Sequence, residues 1–152
     1  MYRYLFEEDC FDRVFEVSKK IGPEIRGEVR VILANILEIK PLEVELVSYE
    51  KTEKGMEMKF EARKEINDNF VFRVIVAITG KETILISVKT YISRVNPIYL
   101  AGPVVVEDII YNTMQEFSKK SFYTDVLSEY KLKYEELSKK IYEGLEIFIG
   151  FE

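Results

Sequence analysis

Hydrophobic positions change their period twice along this chain. From Glu7 to Gly22, Cys10, Val14, Val17 and Ile21 recur at helical spacing, with Phe11 and Phe15 beside them. Acidic residues open that segment and Lys19 and Lys20 close it, as a helix dipole prefers. Gly22-Pro23 then ends one helix and starts another. In the second piece Ile25, Val29, Ile32, Leu33, Ile36 and Leu37 share a face, and Pro41 closes it. Gly27 inside that helix costs about 1 kcal/mol relative to Ala; close packing beside the Gly-Pro corner would account for it.

From Leu42 the period becomes two. Leu42, Val44 and Leu46 alternate with glutamates, and Met56, Met58, Phe60 and Ala62 alternate with Glu57, Lys59, Glu61 and Arg63. Phe70, Phe72, Val74, Val76 and Ile78 follow, then Ile84, Ile86, Val88, Thr90 and Ile92. The connections are short and rich in Gly, Asn and Asp, so these strands form an antiparallel meander. With the N-terminal helices laid on its apolar face, the chain reads as one α+β domain over residues 1–152.

The other face of the sheet is mixed. Its first two strands present Glu, Lys and Arg, while the last two present Val71, Ile75, Ala77, Leu85 and Tyr91. A face this apolar needs a cover, either the C-terminal helix or another chain.

The uncharged run "VNPIYLAGPVVV" (95–106) reads as a strand-to-helix connection. It leads to a helix with Val106, Ile109, Ile110, Thr113, Met114 and Phe117 on one stripe. A last, long helix places Tyr123, Leu127, Tyr130, Tyr134, Leu137 and Ile141 along a seam. Tyr130 and Tyr134 suit internal packing first and a subunit interface second. Gly144 is expected to stop this helix, and residues 2–6 and 145–151 are candidate terminal strands.

Composition narrows the chemistry. The chain is 47% hydrophobic and 32% charged, and its longest uncharged run is far shorter than a membrane helix needs. One cysteine and no leader-like start point to a cytoplasmic address. Enrichment in Glu and Lys fits a thermophile, although an AT-rich genome gives the same bias. A net charge of −5 with no basic stripe disfavours nucleic acid.

Without histidine the chain lacks Ser-His and Cys-His nucleophiles and His-bearing metal motifs. Cys10 reads as a small buried hydrophobe, because Glu7, Glu8 and Asp9 oppose its ionisation. "TGKET" (79–83) has neither the spacing nor the helix of a phosphate loop, and no GxGxxG occurs. Glu43/Glu45 and Glu57/Glu61 read as partners in cross-strand ion pairs, and Glu107/Asp108 as helix capping. "NPIY" (96–99) resembles the NPxY turn that some adaptor domains read, on four residues only.

No cofactor, metal or catalytic residue is therefore expected. The reading that follows is a non-enzymatic module that self-associates as a homodimer. Its candidate partner surface comprises Val71, Ile75, Leu85, Tyr91, Tyr130 and Tyr134. The alternative is a binder of a small apolar ligand between sheet and C-terminal helix, in a cavity lined by Met58, Phe60, Phe70 and Phe72. An enzyme working with carboxylate, Lys or Tyr groups alone is the third reading.

Overall fold

The computed structural model describes residues 4–18, 24–66, 70–95 and 123–150. Its first element is a strand, β1 (Tyr4–Val17), where the sequence predicts a helix. Two periods compete in this segment. Phe11, Phe15 and Val17 lie on one face of β1 and are buried, while Asp12, Val14 and Glu16 lie on the other and are exposed. The alternation is hidden because the pairing with the next strand shifts between Asp9 and Phe11, leaving Cys10 as an inserted residue. Across that bulge the period-2 phase resets, and a 3.6-residue stripe fits the disrupted pattern as well.

The second predicted helix is present as α1 (Ile25–Leu37), which buries Ile25, Val29, Ile32, Leu33 and Leu37. It ends on Glu38 in the left-handed region (φ 59°), with the Ile39 N–H donating to the Ala34 carbonyl at 3.0 Å. Lys64 Nζ donates to the Leu37 carbonyl at 2.7 Å and satisfies another terminal acceptor. The N-terminal pair of helices thus reduces to one. Gly27 has open space around it, so close packing does not explain it. A short 3-10 turn, Pro41–Glu43, follows, so Leu42 is 90% exposed instead of opening a strand.

The meander is β2 (Glu45–Thr52), β3 (Gly55–Glu65), β4 (Phe70–Gly80) and β5 (Ile84–Val95). β1 returns to pair with β5, which gives a five-stranded antiparallel sheet in the order β1-β5-β4-β3-β2. Gly80 has φ +138°, and a Cβ there would sit 2.0 Å from the Thr83 carbonyl oxygen, so only glycine fits this turn. β2 carries a bulge of its own between Leu46 and Ser48. Both sheet edges are therefore irregular, which discourages a further strand from adding there.

After the sheet one helix is described, α2 (Tyr123–Leu145), continuing into a wider-wound turn at Glu146–Gly150. Gly144 does not stop it. A Cβ at Gly144 would lie 3.2 Å from Ile36 Cδ1 and 3.5 Å from Ile32, so this glycine allows α2 to cross close over α1. From Ile141 before it, burial continues at four-residue spacing through Leu145 and Ile149, so the expected closing strand over 145–151 is helical in its described part. The residues of the expected strand 2–6 that are described, from Tyr4, belong to β1. The connection 95–106 beyond Val95, the "NPIY" turn and the helix over 106–117 lie outside the described residues.

Both helices lie on the inner sheet face. Phe60, Phe72, Val74, Val76, Ile78, Ile86, Val88 and Ile92 are fully buried there. Tyr142 meets Phe11 and Phe15 edge-on, with ring centroids 5.9 and 5.4 Å apart. Tyr134 packs on Phe72 at 4.8 Å and Tyr130 on Phe70 at 5.5 Å. At the far side, Arg26 of α1 stacks over Tyr49 of β2 at 4.1 Å.

Candidate interaction surface

The outer face is set by strand register. From the β4–β5 turn inward, three rows cross the sheet from β1 to β2. They are Glu16–Leu85–Thr79–Glu57–Glu50, then Val14–Ser87–Ala77–Lys59–Ser48, then Asp12–Lys89–Ile75–Glu61–Glu45. Apart from Lys89 on β5, small and mostly apolar residues thus run along β4 and β5 in these rows, and carboxylates stand on β1 and on the β2–β3 pair. Val14 on β1 is 52% and Leu85 on the adjacent β5 is 40% exposed, with Ile75 and Ala77 half-buried on β4 beyond them.

The opposite end of this face is closed. Val71 is 9% exposed, and Ser93, its partner in register, is fully buried. Arg73 there donates to Glu61 from Nε at 2.9 Å and Nη2 at 2.7 Å, meets Glu7 through Nη1, and lies 5.9 Å from the Tyr91 ring centroid. Arg63 Nε donates to Glu61 at 3.4 Å, and Ser93 Oγ donates to Glu7 at 3.2 Å. Two arginines and two glutamates on β1, β3 and β4 therefore form one network over Tyr91.

The expected partner residues consequently separate. Ile75 and Leu85 lie beside the exposed strip, while Tyr91 sits half-buried near Arg73 and Val71 is buried. Tyr130 and Tyr134 face the sheet from α2 and spend their rings on Phe70 and Phe72. Burial and the neighbouring Tyr130 hold the Tyr134 phenol above its ordinary pKa. Tyr142 shifts the same way, through desolvation first and then nearby Glu146. Val14 was missed because the helical reading of residues 7–22 placed it on an inward stripe.

The residues of the alternative cavity are all in the core. Met58, Phe60, Phe70 and Phe72 are at most 2% exposed. A shallow depression of about 230 Å³ lies elsewhere, at the sheet end formed by Thr52, Gly55, Met56 and Gly80.

The expected carboxylate roles hold in part. Glu61 is ion-paired with Arg63 and Arg73, whereas Glu43 caps the 3-10 turn by accepting from the Lys40 N–H at 3.0 Å. Cys10 is buried at the β1 bulge beside Thr90 and Ser138, and its Sγ donates to the Lys131 carbonyl at 3.5 Å. Desolvation is the main cause holding its thiol above the ordinary range. Among the described residues, no three His, Cys, Asp or Glu side chains are grouped to hold a metal. No helix among them is long and apolar enough to cross a membrane.

The fold so described is an α+β domain with an antiparallel sheet helix-covered on its inner face. Compared with known proteins, the chain matches no family model, no curated protein and no solved structure.

Proposed function

We propose that this chain is a non-enzymatic interaction module that docks another polypeptide on the outer face of its sheet. The observation that carries this reading is the exposure of Val14 and Leu85 beside Ile75 and Ala77, on the face opposite both helices. Self-association, the form expected from sequence, keeps the sheet face as a support. It loses the tyrosine seam, which packs internally. A small apolar ligand between sheet and α2 would have to part Tyr130 from Phe70 and Tyr134 from Phe72, so the packing favours the docking reading.

A photo-crosslinking residue placed at Leu85, in cells expressing the full chain, tests this. Leu132, 70% exposed on α2, is the control position. A discrete covalent adduct from position 85 and none from 132 is the expected result, whether the adduct has twice the chain's mass or another mass. No adduct from position 85 overturns the reading.

A further inference from the structure

Among the described side chains, outward positions on the five strands carry Glu7, Asp9, Asp12, Glu16, Glu45, Glu50, Glu57, Glu61 and Glu65 against Lys59, Arg63, Arg73 and Lys89. Nine carboxylates to four cations leave an excess of five, which equals the net charge of the whole chain, −5. Along the chain, residues 96–152 carry ten acidic against six basic side chains; in space, one sheet face by itself holds a surplus of five.

The placement opposes stability. Glu45 stands directly across from Glu61, and Glu50 directly across from Glu57. Like charges in register on adjacent strands repel. Arg63 and Arg73 relieve Glu61. Asp12, Glu16, Glu50 and Glu57 have no ion-pair partner among the described residues. A second copy stacked on this face would bring surplus carboxylate against surplus carboxylate and pay that repulsion again.

Resting on the docking reading above, we infer that the occupant of the outer face is a cationic amphipathic helix of a different protein. Its apolar stripe would lie on Leu85, Ile75, Ala77 and Val14. Its Lys and Arg side chains would reach Asp12 and Glu16 on one side and Glu50 and Glu57 on the other. The dimensions agree: from β1 to β3 is three strand intervals, about 14 Å, and a helix with its side chains is about 10–12 Å across. Charges at the two rims then set orientation and association rate, and the apolar floor sets residence.

The test uses the purified full chain and a synthetic probe of about 14 residues, roughly 21 Å as a helix, with a Leu stripe flanked by Lys. A second probe carries Glu in place of Lys. Fluorescence anisotropy should show the Lys probe binding and the Glu probe not. Glu16→Gln with Glu57→Gln, and separately Leu85→Ser, should each weaken the Lys probe by about tenfold. Glu136→Gln with Glu143→Gln, on exposed positions of α2, should leave it unchanged, and melting curves confirm that every variant is folded. Equal binding of both probes, no binding, or Lys-probe binding insensitive to the outer-face variants overturns the inference. Light scattering separates the two levels of the claim. A dimer that dissociates on Leu85→Asp would keep the docking face and overturn the cationic partner. A monomer that also gives no adduct from position 85 would remove the docking face itself.

Discussion

Thr90 Oγ1 and Ser138 Oγ lie 2.8 Å apart, one on β5 and one on α2, and both residues are fully buried. Ser138 Oγ also donates to the Tyr134 carbonyl at 2.6 Å, so the hydrogen shared with Thr90 is donated by Thr90. Around them the contact between helix and sheet is largely aromatic and aliphatic, which slides at low cost. A hydroxyl pair has one geometry. It fixes where along β5 the helix settles.

Removing Ser138 takes away the acceptor of the buried Thr90 hydroxyl, and removing Thr90 leaves Ser138 with the Tyr134 carbonyl as its remaining partner. Thr90→Val and Ser138→Ala should each lower unfolding stability by about 1–3 kcal/mol. The double variant should lose less than the two losses combined, by about 0.5–1 kcal/mol or more, because neither hydroxyl is then left behind. Urea titrations of the four proteins check this, and strictly additive losses would show that the two groups do not act as a pair.

Glycine is placed against local propensity in α1. Gly27 is exposed and has nothing within 4 Å of a built Cβ, so Gly27→Ala should stabilise by about 0.5–1 kcal/mol. Glu38 occupies a left-handed position that glycine fits better. Glu38→Gly should gain up to about 1 kcal/mol. The 3.8 Å pair it gives up with Lys64 comes from a side chain 84% exposed and contributes little. Gly144→Ala is the contrasting case: the same propensity gain meets Ile36 Cδ1 at 3.2 Å. Denaturation midpoints should rise for the first two variants and fail to rise for the third.

Arg73 and Glu61 make the other demanding pair, with side chains only 14% and 12% exposed. Arg73→Met leaves Glu61 facing Glu45 across the strand pair without its closest cation. The expected loss is about 2–4 kcal/mol, near the range for breaking a buried ion pair. Glu61→Leu added to Arg73→Met should recover most of it, because the stranded charge is then gone. If the double variant is no more stable than the single, the network holds through contacts other than this charge pair.

What the sequence revealed follows from how local each signal is. β3, β4 and β5 were legible because strict alternation runs unbroken through Met58–Phe60–Ala62, Phe70–Ile78 and Ile84–Ile92, and the turns between them are short. β1 was not, since the bulge at Cys10 splits its alternation and its partner β5 lies some seventy residues away in the chain. The apolar outer face was visible as Val71, Ile75, Leu85 and Tyr91, but register decided that Val71 is closed off and that Val14 joins the open strip. The acid rims were invisible for the same reason. Charges scattered from Asp12 to Glu57 assemble only when β1 returns to the sheet. Ser138 escaped notice as one polar residue beside a seam of tyrosines and leucines.

The alkaline limb of stability is the last prediction. With no histidine, no side chain changes charge at its ordinary pKa between pH 5 and 8. The melting temperature should therefore be nearly constant across that interval. Above it, two buried groups act in one direction. Cys10 and Tyr134 are both held neutral by desolvation, so each has a higher pKa folded than unfolded. The unfolded chain then releases these protons first. The stability they contribute is complete below the unfolded values, about 8.5 for a thiol and about 10 for a phenol, and is lost as pH rises through the folded ones. Melting should begin to fall just above pH 8.5 and fall again near pH 10. Cys10→Ala should remove the first step and leave the second, whereas Tyr134→Phe should leave the first and shrink the second, to which Tyr142 also contributes. A melting temperature that already drops between pH 6 and 8, or a first step that survives Cys10→Ala, would assign the alkaline loss to other groups.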